Sequence, residues 1–123
     1  MQEGFHEKLK RLINEYILVG YEIARKFPNA ERYGMWSQAT RALLSIMLNY
    51  IEGFGRTKKK VLLNFYETSF GSLKESIYIF YLANKLHYIT EQDYQSLYTR
   101  KEEIAKMLWS TLVGLRGETK DSE

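Results

Sequence analysis

The sequence predicts an all-α protein, built as an antiparallel up-and-down four-helix bundle. Apolar residues recur at helical spacing in four segments, and short breaks containing proline, glycine or polar residues separate these segments. No segment alternates between apolar and polar residues for long enough to predict a strand. Helices joined by short connections pack as antiparallel neighbours. We therefore expect a single domain over residues 1–116 and a polar, frayed tail over residues 117–123.

One proline and two glycines set the expected limits of the first two helices. The first helix is predicted over Phe5–Phe27, and Pro28 should end it because proline disfavours a helical residue before it. Its apolar residues follow alternating steps of four and three: Leu9, Ile13, Tyr16, Gly20, Ile23 and Phe27. The second helix is predicted from about Ala30 to Ile51 or Glu52, with Gly53 and Gly55 ending it.

The third and fourth helices are delimited by charged and capping residues. The third helix is predicted over Lys58–Leu86, and cations near its end suit the negative pole of a helix. Thr90 is a candidate N-cap, and Asp93 three residues later completes a weak capping box. The fourth helix is therefore expected to run from Glu91 to about Leu115.

The composition excludes several classes of protein. The chain has no cysteine, so it has neither disulfides nor thiolate metal sites. Its longest apolar run, residues 77–83, is too short to span a membrane, and its first residues lack the apolar core of a secretion signal. We expect a cytoplasmic protein with no membrane contact. The net charge of +3 does not by itself indicate a nucleic-acid partner.

The second and third helices have more apolar surface than a single seam needs. On the second helix, one apolar stripe contains Trp36, Leu43 and Tyr50, and a second stripe beside it contains Leu44, Ile51 and Phe54. The third helix has a similar pair of apolar stripes. A four-helix monomer buries one broad face of each helix, so the additional breadth predicts a homo-oligomer. The alternative is a wide internal face with some exposed aliphatic residues.

Polar residues also recur at helical spacing on these two helices. The expected polar network consists of Ser37, Arg41, Ser45, Asn49 and Glu52 on the second helix and of Ser72 and Glu75 on the third. Its favoured role is to fix helix register, with Arg41 paired to Glu75 or to Glu52. A contact with another subunit or partner is the second interpretation, and a catalytic or metal site is the third.

The residues that enzymes and metal sites require are scarce. His6 and His87 are the only histidines, and neither follows a glutamate at the spacing of a di-iron bundle site. The chain also has no glycine-rich phosphate loop after a strand and no cysteine nucleophile. We therefore predict no catalytic residue, no metal and no cofactor. An enzyme that uses Glu52 and Glu75 is the remote alternative.

Four cations lie close together where the third helix is expected to begin: Arg56, Lys58, Lys59 and Lys60. Cations at this end oppose the helix dipole, whereas a bound anion would be stabilised by the lysines and the backbone N–H groups together. One interpretation is a contact with a phosphate backbone, to which Arg32 or Lys85 could add charge. The other is a solvated lysine run. Stacking of Tyr33, Trp36 or Tyr66 on bases is less favoured than a core role for each.

The segment from residue 27 to residue 56 resembles the core of a known bacterial family, the 23S rRNA intervening-sequence proteins. The matching residues are Phe27-Pro28, Glu31-Arg32-Tyr33-Gly34, Ser37-Gln38, Arg41-Ala42, Ser45-Ile46, Asn49 and Glu52-Gly53-Phe54-Gly55-Arg56. Further along, Phe65, Gly71-Ser72-Leu73 and Glu75 resemble the family's next helix. Met47-Leu48 and Tyr50-Ile51 depart from the family's pattern, which commonly has a proline and a small polar residue at the first pair and isoleucine-alanine at the second.

The resemblance implies a four-helix bundle that assembles as a ring-shaped homopentamer. It also implies kinship with the accessory proteins of diversity-generating retroelements, which partner a reverse transcriptase and bind nucleic acid. Our leading hypothesis is a non-enzymatic oligomer that binds RNA, or an RNA–protein complex, through Arg56, Lys58, Lys59 and Lys60. The alternative is a protein-interaction module, such as a reverse-transcriptase accessory subunit.

Overall fold

The computed structural model describes residues 2–121 and consists of four helices packed as an up-and-down bundle. The helices are α1 (Phe5–Ala24), α2 (Met35–Phe54), α3 (Lys59–Lys85) and α4 (Glu91–Asp121). Both α1 and α3 pack against α2 and α4. The predicted all-α four-helix bundle is confirmed. Within the described residues, none of the helices combines the length and the apolarity that a membrane span requires.

Large aromatic side chains occupy the centre of the bundle and satisfy their polar atoms there. Tyr16 is fully buried, and its hydroxyl lies 2.8 Å from Ser76 Oγ on α3. Burial raises the pKa of Tyr16, so its hydroxyl stays neutral. Tyr50 stacks on Tyr66 with ring centroids 5.1 Å apart. These contacts hold α1 and α2 against α3 at two levels of the core.

The end of α1 differs from the prediction by three residues. The helix ends at Ala24, whereas the sequence predicts a helix up to Phe27. Two turn hydrogen bonds, from Lys26 N to Ile23 O and from Phe27 N to Ala24 O, close the chain after the last helical residue. Phe27 is still buried against Phe80, with ring centroids 5.9 Å apart. The apolar spacing that predicts a longer helix therefore reflects burial of Phe27, not helical backbone.

The start of α2 also differs from the prediction, because a separate turn precedes the helix. Residues Asn29–Glu31 form a short 3-10 turn, and α2 begins at Met35 instead of Ala30. Glu31 Oε1 accepts a hydrogen bond from the backbone N–H of Met35 at 3.2 Å, which satisfies one of the unpaired donors at the helix start. Tyr88 donates to the other carboxylate oxygen of Glu31 at 2.9 Å. Glu31 thus joins the start of α2 to the connection between α3 and α4.

Gly53 lies inside α2 and does not end it. The helix continues to Phe54, and among the described residues no glycine adopts a positive φ. A Cβ atom at Gly53 would lie 2.9 Å from ring atoms of Tyr66 and 3.0 Å from Cβ of Phe65. The glycine is therefore needed for the close approach of α2 and α3, and the expectation that it breaks the helix is wrong.

The connection from α3 to α4 follows two well-known capping arrangements. His87 adopts a φ of 64°, and Tyr88 N donates to Ala83 O at 2.9 Å, as in a Schellman motif. Thr90 Oγ1 accepts from Asp93 N at 3.0 Å, and Asp93 Oδ2 accepts from Thr90 N at 3.1 Å. The predicted capping box is confirmed.

Two contacts make Asp93 a link between helices as well as a cap. Lys26, just after α1, donates to Asp93 at 2.9 Å. Burial favours the neutral carboxyl, but the hydrogen bonds from Lys26 and Thr90 outweigh it and lower the pKa of Asp93. The carboxylate is therefore charged at neutral pH, and it ties the end of α1 to the start of α4.

The fourth helix is longer than its sequence predicts. It continues to Asp121, whereas the prediction places its end near Leu115. Gly114 and Gly117 weaken helix propensity but do not prevent helical backbone, and no proline follows them. The expected polar tail over residues 117–123 is thus helical as far as residue 121, and residues 122 and 123 lie outside the described residues.

Replacement of Gly53 by alanine tests the close contact between α2 and α3. Alanine is the better helix former by about 1 kcal/mol, but its methyl group would overlap the ring of Tyr66. We expect Gly53→Ala to lower the free energy of unfolding by about 1–3 kcal/mol in chemical denaturation. Gly114→Ala is the matched control, because nothing lies within 4 Å of a Cβ there. A Gly53→Ala protein as stable as the control would contradict this account.

Candidate nucleic-acid interface and subunit-contact face

The four cations identified in the sequence lie together at one end of the bundle. We call them the basic segment: Arg56, Lys58, Lys59 and Lys60. All four side chains are exposed. Lys58 is the residue that precedes α3, its backbone is extended, and its side chain makes no capping hydrogen bond. The first turn of α3 contains no acidic residue, so the positive pole of the helix coincides with three lysines.

Arg56 is held against its own subunit. Its guanidinium pairs with the carboxylate of Glu52 one turn earlier. It also lies over the ring of Phe65, 5.3 Å from the ring centroid. Much of its charge is therefore compensated before any ligand binds.

The two further cations that the sequence suggested lie at the opposite end of the bundle. Lys85 is the last residue of α3, about 39 Å from its first residue at 1.5 Å per residue. Arg32 lies just before α2, whereas the basic segment follows the end of α2. Neither residue can join the basic segment of the same subunit in one compact patch.

The three aromatic residues considered for base stacking have different environments. Tyr66 is buried in the core and stacks on Tyr50, as expected. Trp36 is half-buried and lines a small cleft beside Phe27 and Pro28. Tyr33 is 91% exposed, so the expectation of a core role is wrong for this residue. It follows the 3-10 turn, where the chain passes over the surface before α2 begins.

The predicted polar network is present only in part. Ser45 Oγ on α2 lies 2.7 Å from Ser72 Oγ on α3. Asn49 donates its amide N–H to both the carbonyl oxygen and the hydroxyl of Ser45, each at 2.9 Å. Sequence reasoning missed Ser69, which is fully buried and donates to Ile46 O at 2.7 Å. These small polar side chains join α2 to α3 and fix the register of the pair.

The charged members of that set take no part in the network. Arg41 is exposed, and among the described residues it has no ion-pair partner, so pairing with Glu52 or Glu75 is not found. Glu52 binds Arg56 instead. Ser37 contributes only its carbonyl oxygen, which accepts from Thr40 at 3.2 Å. Among the side chains that the structure describes, no group of three or more His, Cys, Asp or Glu residues is arranged to hold a metal.

Large apolar side chains are exposed on the outward surface of the α2–α3 pair. We call this surface the outer face; it contains Leu44, Leu48 and Ile51 on α2, Leu82 on α3 and Leu86 just after α3, which are 36–62% exposed. An open groove of about 680 Å³ lies on it, with Met35 and Gln38 on one side and Ile79 and Leu82 on the other. Glu75 also lines the groove as an exposed charge.

The sequence matches a known protein family over most of its length. The family model described as 23S rRNA-intervening sequence protein matches residues 9–110, which include nearly the whole bundle. The chain belongs to this family. The resemblance of residues 27–56 to the intervening-sequence proteins is thereby confirmed.

The fold of this family member is shared by a solved structure. A protein of unknown function from the S23 ribosomal protein family of Bacteroides thetaiotaomicron superposes with a TM-score of 0.77. The two chains are 23% identical, and the match covers 85% of this chain and 97% of the other. At that identity the likeness establishes the fold alone. No curated protein matches the sequence.

Proposed function

We propose that this family member is a homo-oligomer that binds structured RNA, or an RNA–protein complex, through the basic segment. The observation that carries the proposal is the exposure of Lys58, Lys59 and Lys60 at the start of α3. Each cation at a helix N-terminus costs about 0.3–1 kcal/mol in an exposed position. A phosphate bound there reverses that balance, because it faces lysines and helix N–H groups together.

The contacts of the basic segment favour phosphate recognition over base recognition. Lysine ammonium groups bind phosphates as point charges, and Arg56 is already paired with Glu52. Phosphate contacts position a protein without reading sequence. The expected ligand is therefore recognised by its charge and shape.

Subunit association would make these weak contacts effective. The outer face exposes five large apolar residues, which is the surface expected at a contact between subunits. The family resemblance implies a ring-shaped homopentamer, in which the basic segment would occur five times. Several copies acting on one RNA bind more tightly than one copy, because the later contacts are intramolecular.

A protein-interaction module is the second candidate, and the outer face is the observation that favours it. In that case the outer face would bind a different protein, such as a reverse transcriptase, and the lysines would only increase solubility. This candidate predicts a monomer that binds no RNA. The two experiments below therefore separate it from the proposal.

Removal of the three lysines tests the RNA contact. We expect Lys58→Ala/Lys59→Ala/Lys60→Ala to weaken binding to an RNA stem-loop in fluorescence anisotropy. Each lost phosphate contact should also reduce the slope of log K against log salt concentration by about 0.9.

The control for this experiment removes the same charge elsewhere. Lys8→Ala/Arg25→Ala/Lys106→Ala eliminates three exposed cations outside the basic segment. We expect this variant to keep a salt slope close to that of the wild type. Equal slopes for the two triple variants would show that the position of the charge is irrelevant, against the proposal.

A charge placed on the outer face tests association. Leu48 is 62% exposed on α2, so Leu48→Glu should fold, but it would bury a carboxylate in any contact between subunits. Light scattering should give about 73 kDa for a wild-type pentamer, five times the chain mass of 14.6 kDa, and a smaller mass for Leu48→Glu. Leu18→Glu, at a 71% exposed position on α1, is the matched control and should keep the wild-type mass. A wild-type mass of 14.6 kDa would contradict association.

A further inference from the structure

Aromatic side chains form a row along the groove between α3 and α4. Tyr78 and Tyr81 on α3 have ring centroids 6.0 Å apart, Tyr81 and Tyr94 are also 6.0 Å apart, and Tyr94 and Tyr98 on α4 are 5.9 Å apart. Further along the same groove, Phe70 lies 5.8 Å from Trp109. Four of these rings expose 39–61% of their surface: Tyr78, Tyr81, Tyr98 and Trp109. We call this row, with the cations beside it, the aromatic groove.

Four cations alternate with the rings of the aromatic groove. On α3, Lys74 lies 5.9 Å from the centroid of Phe70 and Lys85 lies 5.4 Å from that of Tyr81. On α4, Lys101 lies 5.2 Å from the centroid of Tyr98 and Arg116 lies 5.3 Å from that of Trp109. Positive charge is thus placed beside ring faces along the full groove, over about 22 Å between the levels of Phe70 and Lys85.

The carboxylates near the groove compensate part of this charge. Glu102 pairs with Lys101 at 2.9 Å, and Glu67 pairs with Arg116 at 3.3 Å. Glu91 uses its oxygens to accept from Asn84 and Gln95. These hydrogen bonds, together with the charge of Lys85, lower the pKa of Glu91, so its carboxylate is charged at neutral pH. The four cations outnumber these three carboxylates, and the groove keeps a small net positive charge.

The Tyr94 hydroxyl remains neutral in this setting. Burial, together with the neighbouring Tyr98 and Tyr81, raises the pKa of Tyr94 above its ordinary value of 10. Neutral phenols next to lysines present flat apolar faces and hydroxyl groups without adding negative charge. This combination is unusual for a solvated helix face, which normally exposes charged side chains.

We propose that the aromatic groove binds a single-stranded segment of RNA, with bases stacked on the tyrosines and phosphates beside the lysines. Nucleic acids offer both complementary parts, since every base has a flat π face and every linkage carries a negative charge. An apolar helix of a protein partner would match the rings but would leave Lys74 and Lys85 facing an uncharged surface. The charge of the groove therefore favours RNA over protein as its occupant.

This inference rests on the proposed RNA binding for its choice of ligand, but it concerns a separate site. Lys60, in the basic segment, precedes Phe70 by about 15 Å along α3. One RNA could therefore place a structured part on the basic segment and an adjoining single strand in the groove. The basic segment would bind phosphates, and the aromatic groove would bind bases.

Replacement of two tyrosines tests the groove directly. We expect Tyr81→Ala/Tyr98→Ala to raise the Kd for a labelled ten-nucleotide RNA without secondary structure by about tenfold or more. The Kd for a blunt RNA duplex should change by less than about twofold, because its bases are already stacked inside the helix. Tyr81→Phe/Tyr98→Phe keeps the rings and should bind the single strand almost as the wild type does.

Tyr33→Ala is the matched control, because Tyr33 is 91% exposed and lies outside the groove. Like the groove tyrosines, Tyr33 has a cation beside its ring: the guanidinium of Arg32 lies 5.9 Å from the ring centroid. Tyr33→Ala should leave the Kd for the single strand unchanged. An abasic ten-nucleotide strand should bind the wild type and Tyr81→Ala/Tyr98→Ala equally. Equal affinity of these two proteins for the intact strand would overturn the inference, as would a lower oligomer mass for the tyrosine variant.

A measurement on the intact groove does not depend on those variants. In a Trp36→Phe background Trp109 is the single tryptophan, and it is 49% exposed in the groove. We expect the single strand to quench its fluorescence and the duplex to leave it unchanged. No quenching at saturating single strand would contradict the inference. If the basic-segment variant still loses duplex binding in that case, the proposed function stands and only the groove fails; if no RNA binds at all, both fail.

Discussion

The close packing of α2 against α3 is the constraint on which the other features depend. Gly53 allows the ring of Tyr66 to lie against the backbone of α2, and the serine pair Ser45–Ser72 joins the two helices further along. Buried Ser69 adds a hydrogen bond to Ile46 O of α2. Small residues let the backbones approach, and their hydroxyl groups remain satisfied because they bond across the contact. With the pair held in one register, the connection at residues 55–58 has a defined position.

The same constraint explains where the candidate functional surfaces lie. The large residues Leu43 and Phe80 fill the core between the helices, whereas Leu48 and Leu82 are exposed on the outer face. The side of α3 that faces α4 carries rings and lysines instead. The start of α3 then presents three lysines, Lys58–Lys60, at the positive pole of the helix. One helix thus contributes to an apolar surface, an aromatic groove and a basic end.

The sequence predicts the fold well because the fold depends on spacing and caps. The helical periodicity, Pro28 and the Thr90–Asp93 capping box give four helices in the right order. The predicted helix limits are wrong where a tertiary contact determines the local structure. Phe27 is buried without being helical, Glu31 delays α2 by capping Met35, and Gly53 serves packing, although glycine usually indicates a break.

The candidate sites were only partly predictable for a similar reason. The lysines of the basic segment are adjacent in sequence, so the sequence alone indicates this candidate site. The rings of the aromatic groove come from two helices, and their proximity depends on which faces of α3 and α4 meet. The pairing of Glu52 with Arg56 follows from their spacing of four residues, whereas Arg41 lies on the same helix about 16 Å before Glu52 and is out of its reach.

The central claim is that one assembled oligomer binds RNA as a unit, and native mass spectrometry tests it most directly. The protein would be mixed with an RNA stem-loop that carries a single-stranded extension. We predict ions whose mass is several times the chain mass of 14.6 kDa plus one RNA. Ions with one protein chain per RNA, or an oligomer that retains no RNA, would contradict the claim.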